Sequence, residues 1–267
     1  FNGKKMNIST TPTHYLFYQN EKREKIELNL PAETPVSLTV NGEVWLSFMC
    51  TPQQEESLAA GFLFNEGIIE NSSEIADIRL CEHGDNVDIW LNHAAEKPAK
   101  WTRTSGCTGG VTSVEPRASI GLARQKNDLV LSPKQIPFLL KMLDEHQKLY
   151  RQTGGIHTSI LTDGAEKTIA AEDIGRHNTL DKIAGIKLMQ NLSFEQSILL
   201  TTGRVSSEMM QKAIRLGVSI VISRTSPSSV SVELAEKAGI TLIGYAKRHR
   251  FNLYTHAERI VEEDDNG

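Results

Sequence analysis

Eight of the eleven residues from Glu172 to Lys182 (Glu-Asp-Ile-Gly-Arg-His-Asn-Thr-Leu-Asp-Lys) are polar or charged, and they lie between apolar segments that read as domain core. Side chains of this kind are costly to bury unless each finds a partner. The run is therefore expected to serve a ligand more than the fold. Helix capping explains part of it, with Asn178 as the N-cap and Asp181 reaching back from the third position. Glu172, Asp173, Arg176 and His177 are left without such an account.

Three further stretches combine cations with hydroxyls. Gly203-Arg204-Val205-Ser206-Ser207-Glu208 and Arg224-Thr225-Ser226-Pro227-Ser228-Ser229 each follow an apolar run and precede a helical one. A helix N-terminus offers free N–H groups and the positive end of the dipole, so Arg204, Ser206 and Ser226 are candidate phosphate contacts. Ser and Thr before a helix also serve as plain caps. Lys247, Arg248, His249 and Arg250 follow Tyr245 and Ala246. Alone they would read as a solvated turn; beside two phosphate-type loops they point to a di- or polyphosphate, with Tyr245 available to stack on a base.

The three cysteines differ in context. Cys50 and Cys81 end apolar runs and are expected in the core or at strand ends. Cys107 stands in Thr104-Ser105-Gly106-Cys107-Thr108-Gly109-Gly110, and is expected in an accessible, mobile loop. Their odd number and the absence of a C-x-x-C pair argue against a disulfide framework and a zinc ribbon. With no H-E-x-x-H and no zinc-deaminase signature, no intrinsic metal is expected. Neither a Walker A pattern nor a G-x-G-x-x-G is present. A hydrolase with Cys107 as nucleophile and His157 or His177 as base is a minor alternative.

The elements that would position these residues divide at about residue 131. In 6–131 the pattern is β-rich with one helix. Lys25 to Leu30 and Val36 to Val40 alternate, Asn41-Gly42 signals a hairpin, and Glu43 to Met49 returns. Thr51 as N-cap, Pro52 and Gln54 open a helix with Leu58, Ala59, Phe62 and Leu63 on one face. Ile75 to Leu80 and Val87 to Leu91 form another strand pair. In 132–267, Ser132-Pro133 opens one helix running through Leu143 and Tyr150 to Gly154. Strands over 156–161, 168–171, 197–202, 218–223 and 240–245 then alternate with helices over 178–189, 207–216 and 229–238. The last three strands are nearly continuous apolar runs, as a parallel sheet covered on both faces requires. The fold class is α/β, or α+β overall.

The chain has 267 residues with 39% hydrophobic content, enough for one large domain or two modest ones. A net charge of -4 and a pI near 6.1 give no overall attraction to nucleic acid. No window resembles a membrane span or a secretory signal, so cytoplasm and no membrane are the expectation.

Several stretches together resemble one family: Thr153 to His157, Glu172 to Lys182, Thr202 to Met209, Ser223 to Pro227, Val232 to Ala235, Gly244 onward, and Glu55 to Ile69. The chain is similar to the formate dehydrogenase accessory sulfurtransferases, the FdhD family, over nearly its whole length. The resemblance implies a sulfur carrier that takes sulfane sulfur from a cysteine desulfurase. It would pass this sulfur to bis-molybdopterin guanine dinucleotide, with molybdenum or tungsten, before that cofactor enters formate dehydrogenase. It also implies a homodimer and a C-terminal three-layer domain resembling the cytidine deaminase fold without its zinc. The family's persulfide cysteine matches Cys107, and its cofactor-binding segment falls on Tyr245, Ala246, Lys247, Arg248, His249 and Arg250. Many relatives have C-x-x-C in the Cys107 loop, where this chain has Gly110; that departure weakens any exchange of sulfur between two cysteines of one loop. The readings from other classes are a non-catalytic cofactor chaperone and a nucleotide-dependent hydrolase.

Overall fold

The computed structural model describes residues 9–99, 101–103, 111–112 and 129–262. The chain opens on an antiparallel hairpin of β1 (Thr10–Gln19) and β2 (Lys22–Pro31). Next, β3 (Thr34–Val40) and β4 (Glu43–Cys50) turn at Asn41-Gly42, with φ of 49° and 83°. Positive φ at both central residues is what a two-residue hairpin turn of matching twist needs. After α1 (Glu55–Asn65), β5 (Ile75–Leu80) and β6 (Asn86–Leu91) complete a four-stranded sheet of order β4-β3-β6-β5. Leu58, Phe62 and Leu63 of α1 are buried with Val36, Leu38, Val87 and Ile89 of the sheet. Fully burying such side chains contributes roughly 1.5–3 kcal/mol each. A short ladder of β7 (Thr102–Arg103) and β8 (Val111–Thr112) follows.

The second half begins with α2 (Gln135–Glu145) and α3 (Lys148–Thr153). Then come β9 (His157–Thr162), β10 (Thr168–Asp173), α4 (Arg176–Met189), β11 (Ile198–Thr201), α5 (Ser207–Leu216), β12 (Ile220–Ser223), α6 (Ser229–Ala238), β13 (Thr241–Lys247) and β14 (Arg250–Thr255). The six strands have the order β10-β9-β11-β12-β13-β14, with β11, β12 and β13 parallel and the others antiparallel. Alternation along each strand splits the core. Leu161, Leu199, Val221 and Leu242 pack under α4, α5 and α6; Ile160, Leu200, Ile222 and Ile243 pack under α2. The architecture is thus mixed α/β, with three layers in this half. No described helix is long and apolar enough to cross a membrane.

Three expectations change. Thr51 does not cap α1, which starts behind Gln54 in the left-handed region at φ 56°. Instead, the Thr51 N–H donates to Asp173 Oδ2 at 3.0 Å, and its Oγ1 accepts from the Ile174 N–H at 3.1 Å. The single helix expected from Ser132 to Gly154 is two. Glu172 reaches over from β10 and accepts from the N–H groups of Leu149 and Tyr150 at 2.8 and 3.1 Å, which caps a second helix start. The strand β1 has no counterpart in the sequence reading, and β14 adds an antiparallel edge.

Helices α1 and α4 join the two halves at close range. A Cβ placed on Gly61 would lie 1.8 Å from the Asp181 carbonyl oxygen, and one on Gly185 would lie 1.9 Å from that of Ser57. Backbone sits where a side chain would be, so Gly61→Ala and Gly185→Ala should each cost at least about 3 kcal/mol or prevent folding. Gly67→Ala, at φ 73° with open space around it, should cost only about 1 kcal/mol. Urea unfolding of the three variants checks both figures, and a mild Gly61→Ala would refute this packing.

Candidate functional site: clefts at the carboxyl edge of the sheet

Most of the polar run Glu172 to Lys182 is consumed by the fold. Lys182 Nζ and Asp173 Oδ2 form an ion pair at 2.6 Å with both side chains 0% exposed. Lys182 also donates to the carbonyls of Thr51 and Glu172 at 3.1 and 3.3 Å. Asp173 Oδ1 accepts from the Gly175 N–H and Asn178 Nδ2, at 2.7 and 2.9 Å. Asn178 is not the helix N-cap; Gly175 occupies that place, and Asn178 Nδ2 donates to the Met49 carbonyl at 2.9 Å. Asp181 pairs with Lys212 at 2.6 Å and accepts from Asn65 Nδ2 at 2.8 Å. The expectation that this run serves a ligand more than the fold is thereby corrected for Glu172, Asp173, Asn178, Asp181 and Lys182. A polar atom buried in a contact needs a partner, and these residues find theirs in each other and in groups of β4, Thr51, α1, α3 and α5.

Arg176 and His177 are the remainder, and they stand at the start of α4 facing the loop after β11. A Cβ on Gly203 would sit 3.0 Å from Arg176 Cβ and 3.5 Å from His157 Nδ1, so glycine is what lets this loop pass. His177 Nε2 lies 3.3 Å from Ser206 Oγ. Burial, then the cations Lys212 and Arg176, push the His177 imidazole down to about 2, so it is neutral. His157 is lowered too, first by burial and then by Arg176. Ser206 caps α5, accepting from the Met209 N–H. Ser228 caps α6 in a reciprocal box with Ser231. Hydrogen bonds from Val205 N–H to the Ser226 carbonyl at 3.1 Å, and from Ser228 N–H to the Val205 carbonyl at 2.9 Å, lace the two loops side by side. The starts of α5 and α6 are therefore neighbours, and their dipole ends add.

Around these loops the surface opens into clefts. One of about 380 Å³ is lined by Arg176, Arg204, Ser206 and Ser226, so three of the expected contacts meet there. A second, of about 620 Å³, lies between α2 and the β13–β14 turn and is lined by Phe138, Lys141, Asp144, Arg224, Ala246, Lys247 and Arg248. A third, of about 430 Å³, has His157, Thr202, Tyr150 and again Arg224 in its walls. Arg224 is shared by two clefts and held by an ion pair with Asp144. The basic segment forms the β13–β14 turn, with Lys247 paired to Arg250 and Arg248 and His249 at the tip, all exposed. Tyr245 has φ 51° in a bulge, and its N–H donates to the Thr225 carbonyl at 3.0 Å. Tyr245, His249 and Arg250 are not among the lining residues of these three clefts.

Sequence reasoning missed the α2 wall. Phe138 is 57% exposed although its neighbours Ile136, Leu139 and Leu140 are buried. A large apolar residue off the core stripe of an amphipathic helix was the available signal. Of the thiols, Cys50 is fully buried and its pKa is pushed up to about 12, first by burial and then by Asp173. Cys81 follows β5, half-buried, and donates to Asp85 Oδ1 at 2.9 Å. Cys107 and Gly110 lie outside the described residues. Arg103 opposite Val111 in the β7–β8 ladder brackets their segment, and Thr112 Oγ1 donates to Glu66 Oε2 at 3.2 Å where α1 ends.

Fold and site together define a class: an α/β protein whose parallel strands end in clefts with arginine or lysine in their walls. The chain belongs to the FdhD/NarQ family, whose model matches residues 31–261. It is 32% identical over 249 residues to the sulfur carrier protein FdhD of Bacillus subtilis (strain 168), covering 92% of this chain and 95% of that one. It is 35% identical to the sulfur carrier protein FdhD of Bacillus pumilus (strain SAFR-032), covering 86% and 89%. A crystal structure of a protein assigned as a formate dehydrogenase accessory protein from Desulfotalea psychrophila superposes with a TM-score of 0.75 at 28% identity, covering 94% of this chain and 99% of that one.

The neutral His177 has a consequence for acid stability. Between about pH 6.5 and 2 the unfolded chain binds a proton that the folded chain refuses, so stability falls as pH drops through this window. The loss is up to about 1.4 kcal/mol per pH unit. From pH 7 to 5 the wild type should lose about 2 kcal/mol more than a His177→Gln variant. Urea unfolding of both proteins at the two pH values checks this, and equal losses would contradict it.

Proposed function

We propose that this chain is a sulfur carrier for formate dehydrogenase maturation, loading sulfane sulfur from a cysteine desulfurase as a persulfide on Cys107. It delivers that sulfur to bis-molybdopterin guanine dinucleotide, carrying molybdenum or tungsten, before the cofactor enters formate dehydrogenase. The reading includes a cytoplasmic homodimer and a cytidine-deaminase-like C-terminal scaffold with no intrinsic metal. The observation that carries it is the group of adjoining cationic clefts in a chain whose relatives are sulfur carrier proteins.

The chemistry of loading is an exchange between thiols. The Cys107 thiolate attacks the terminal sulfur of the donor persulfide, one S–S bond forms as the other breaks, and the donor leaves as thiolate. Only a thiolate does this at a useful rate. Burial removes Cys50 from consideration, since a thiol with a pKa near 12 stays protonated at neutral pH. The acceptor is cargo, and its guanine dinucleotide arms bring pyrophosphates and bases. Lys247, Arg248 and Arg224 suit one phosphate group; Arg204, Ser206 and Ser226, at the starts of α5 and α6, suit another.

Intact mass spectrometry after incubation with a desulfurase and cysteine should show one added sulfur, mapped to Cys107. The Cys50→Ala/Cys81→Ala double variant should load and should restore formate dehydrogenase activity in a complemented deletion strain; Cys107→Ala should do neither. Sulfur on Cys50 or Cys81, or full activity of Cys107→Ala, would overturn the carrier assignment, the latter in favour of a cofactor chaperone. Substituting Lys247 and Arg248 together with alanine should weaken GDP binding by more than about tenfold, from two charge-assisted contacts of roughly 1.5–3 kcal/mol each, discounted for exposure. Unchanged affinity by calorimetry would refute this cleft as the guanine dinucleotide site.

A further inference from the structure

The cleft of about 430 Å³ beside α3 is left without a task by the reading above. Gln147, Tyr150, His157, Thr202 and Arg224 stand in its walls. Its charges are paired or suppressed. Arg224 is held by Asp144, and His157 is lowered by burial and then by Arg176, so its imidazole is neutral. The other two clefts each carry at least two further cations, Lys247 with Arg248 and Arg176 with Arg204. This cleft therefore suits an uncharged polar group that is joined to a charged one.

Gln147 narrows the choice, because it is only 6% exposed. Its backbone N–H and carbonyl are used by Asp144 and Arg151, but no described residue bonds its side-chain amide. A buried amide without a partner is costly, so a group in the cleft that pairs with it supplies what the fold does not. A primary amide sets an acceptor oxygen beside N–H donors, which matches a ring N–H beside a carbonyl. The aminopyrimidinone edge shared by guanine and pterin has that pair. Tyr150, 42% exposed in the same cleft, offers a ring face to a flat heterocycle.

Arg224 decides between the two sources of that edge. It stands in the walls of both this cleft and the one with Lys247 and Arg248. In the cargo of the preceding subsection a pyrophosphate joins each guanosine to a pterin. With the pyrophosphate at Arg224 and the guanosine on the side of Lys247 and Arg248, the pterin falls on the side of Gln147. We propose that this cleft is the pterin subsite, with Gln147 pairing the aminopyrimidinone edge and Tyr150 stacking on the ring. The proposal rests on that cargo reading and assigns the place of a part of the cargo that the cationic clefts do not account for.

The test is a titration of the full chain with neopterin, followed by its fluorescence, and with GDP, followed by calorimetry. The wild type should bind both at once, with neopterin affinity unchanged by saturating GDP. Gln147→Leu should weaken neopterin at least about tenfold, through the loss of two neutral hydrogen bonds, and leave GDP within about twofold. The Lys247→Ala/Arg248→Ala variant should do the reverse. If Gln147→Leu does not fold, Gln147→Glu, which keeps the size and replaces the N–H donors with a second acceptor, decides by the same criterion. Gln147 variants that bind neopterin as the wild type does, or a wild type that binds GDP but not neopterin, would overturn the subsite and leave the cargo reading standing. Competition between the two ligands, or a loss of GDP in place of neopterin in Gln147→Leu, would give the cleft to guanine and overturn the proposal. A wild type that binds neither ligand would overturn the cargo reading together with the subsite.

Discussion

The distance between α1 and α4 is the constraint on which the rest of the molecule depends. With Gly61 facing the Asp181 carbonyl and Gly185 facing that of Ser57, the two helices meet backbone to backbone. Two buried ion pairs flank the contact, Asp173 with Lys182 and Asp181 with Lys212, and each is tied by hydrogen bonds to the first half of the chain. Arg215 of α5 adds a donor to the Phe64 carbonyl at 2.8 Å, where α1 ends. Buried pairs of this kind need not add net stability over a well-packed apolar contact. Removing one member strands the other in a place without water, at about 3–5 kcal/mol. Both members of each pair lie in the second half, so a shifted docking would keep the pairs but forfeit the hydrogen bonds that tie them to Thr51 and Asn65 of the first half.

The clefts inherit their geometry from that docking. Asp173 and Asn178 hold the turn into α4, and the turn carries Arg176 and His177 to the loop at Gly203. The loop is bonded to its neighbour through Val205, Ser226 and Ser228, which brings two helix starts together. Burial first, and then the cations Lys212 and Arg176, keep His177 neutral. The cations on the cleft walls, Arg176 and Arg204, are what favour a negative group there. Arg224, anchored by Asp144, stands in the walls of two clefts, so a long ligand with separated phosphates can use both.

The hydroxyls of the loops serve the fold and stay near the clefts at once. Ser206 is a helix cap, as its position before a helical pattern allowed, and it also lines the cleft with Arg204. Capping and ligand contact are not exclusive, since the cap directs the free N–H groups of the first turn outward. The basic turn behaves differently. Lys247 and Arg248, just past the irregularity at Tyr245, line a cleft wall, whereas His249 and Arg250 lie on the exposed hairpin and line none of the three clefts.

Read alone, the residues were sufficient for the α/β class, for α5 and α6 to their end residues, for the parallel order of the last strands, and for the family. Local rules govern each of these: alternation and apolar runs define strands, Ser before an amphipathic stretch starts a helix, and Gly stops it. They also put Cys50 in the core, where it is buried. The polar run Glu172 to Lys182 misled because composition shows that buried polar groups need partners without showing who the partners are. Thr51, Met49 and Asn65 are more than a hundred residues away in the chain, and only tertiary docking brought them to Asp173, Asn178 and Asp181. The same holds for the split of α2 from α3, made by a carboxylate from β10, and for Arg224 with Asp144 across the cleft. Local propensity acts over a few residues, whereas a site is assembled from groups whose nearness is paid for by the burial of the whole core.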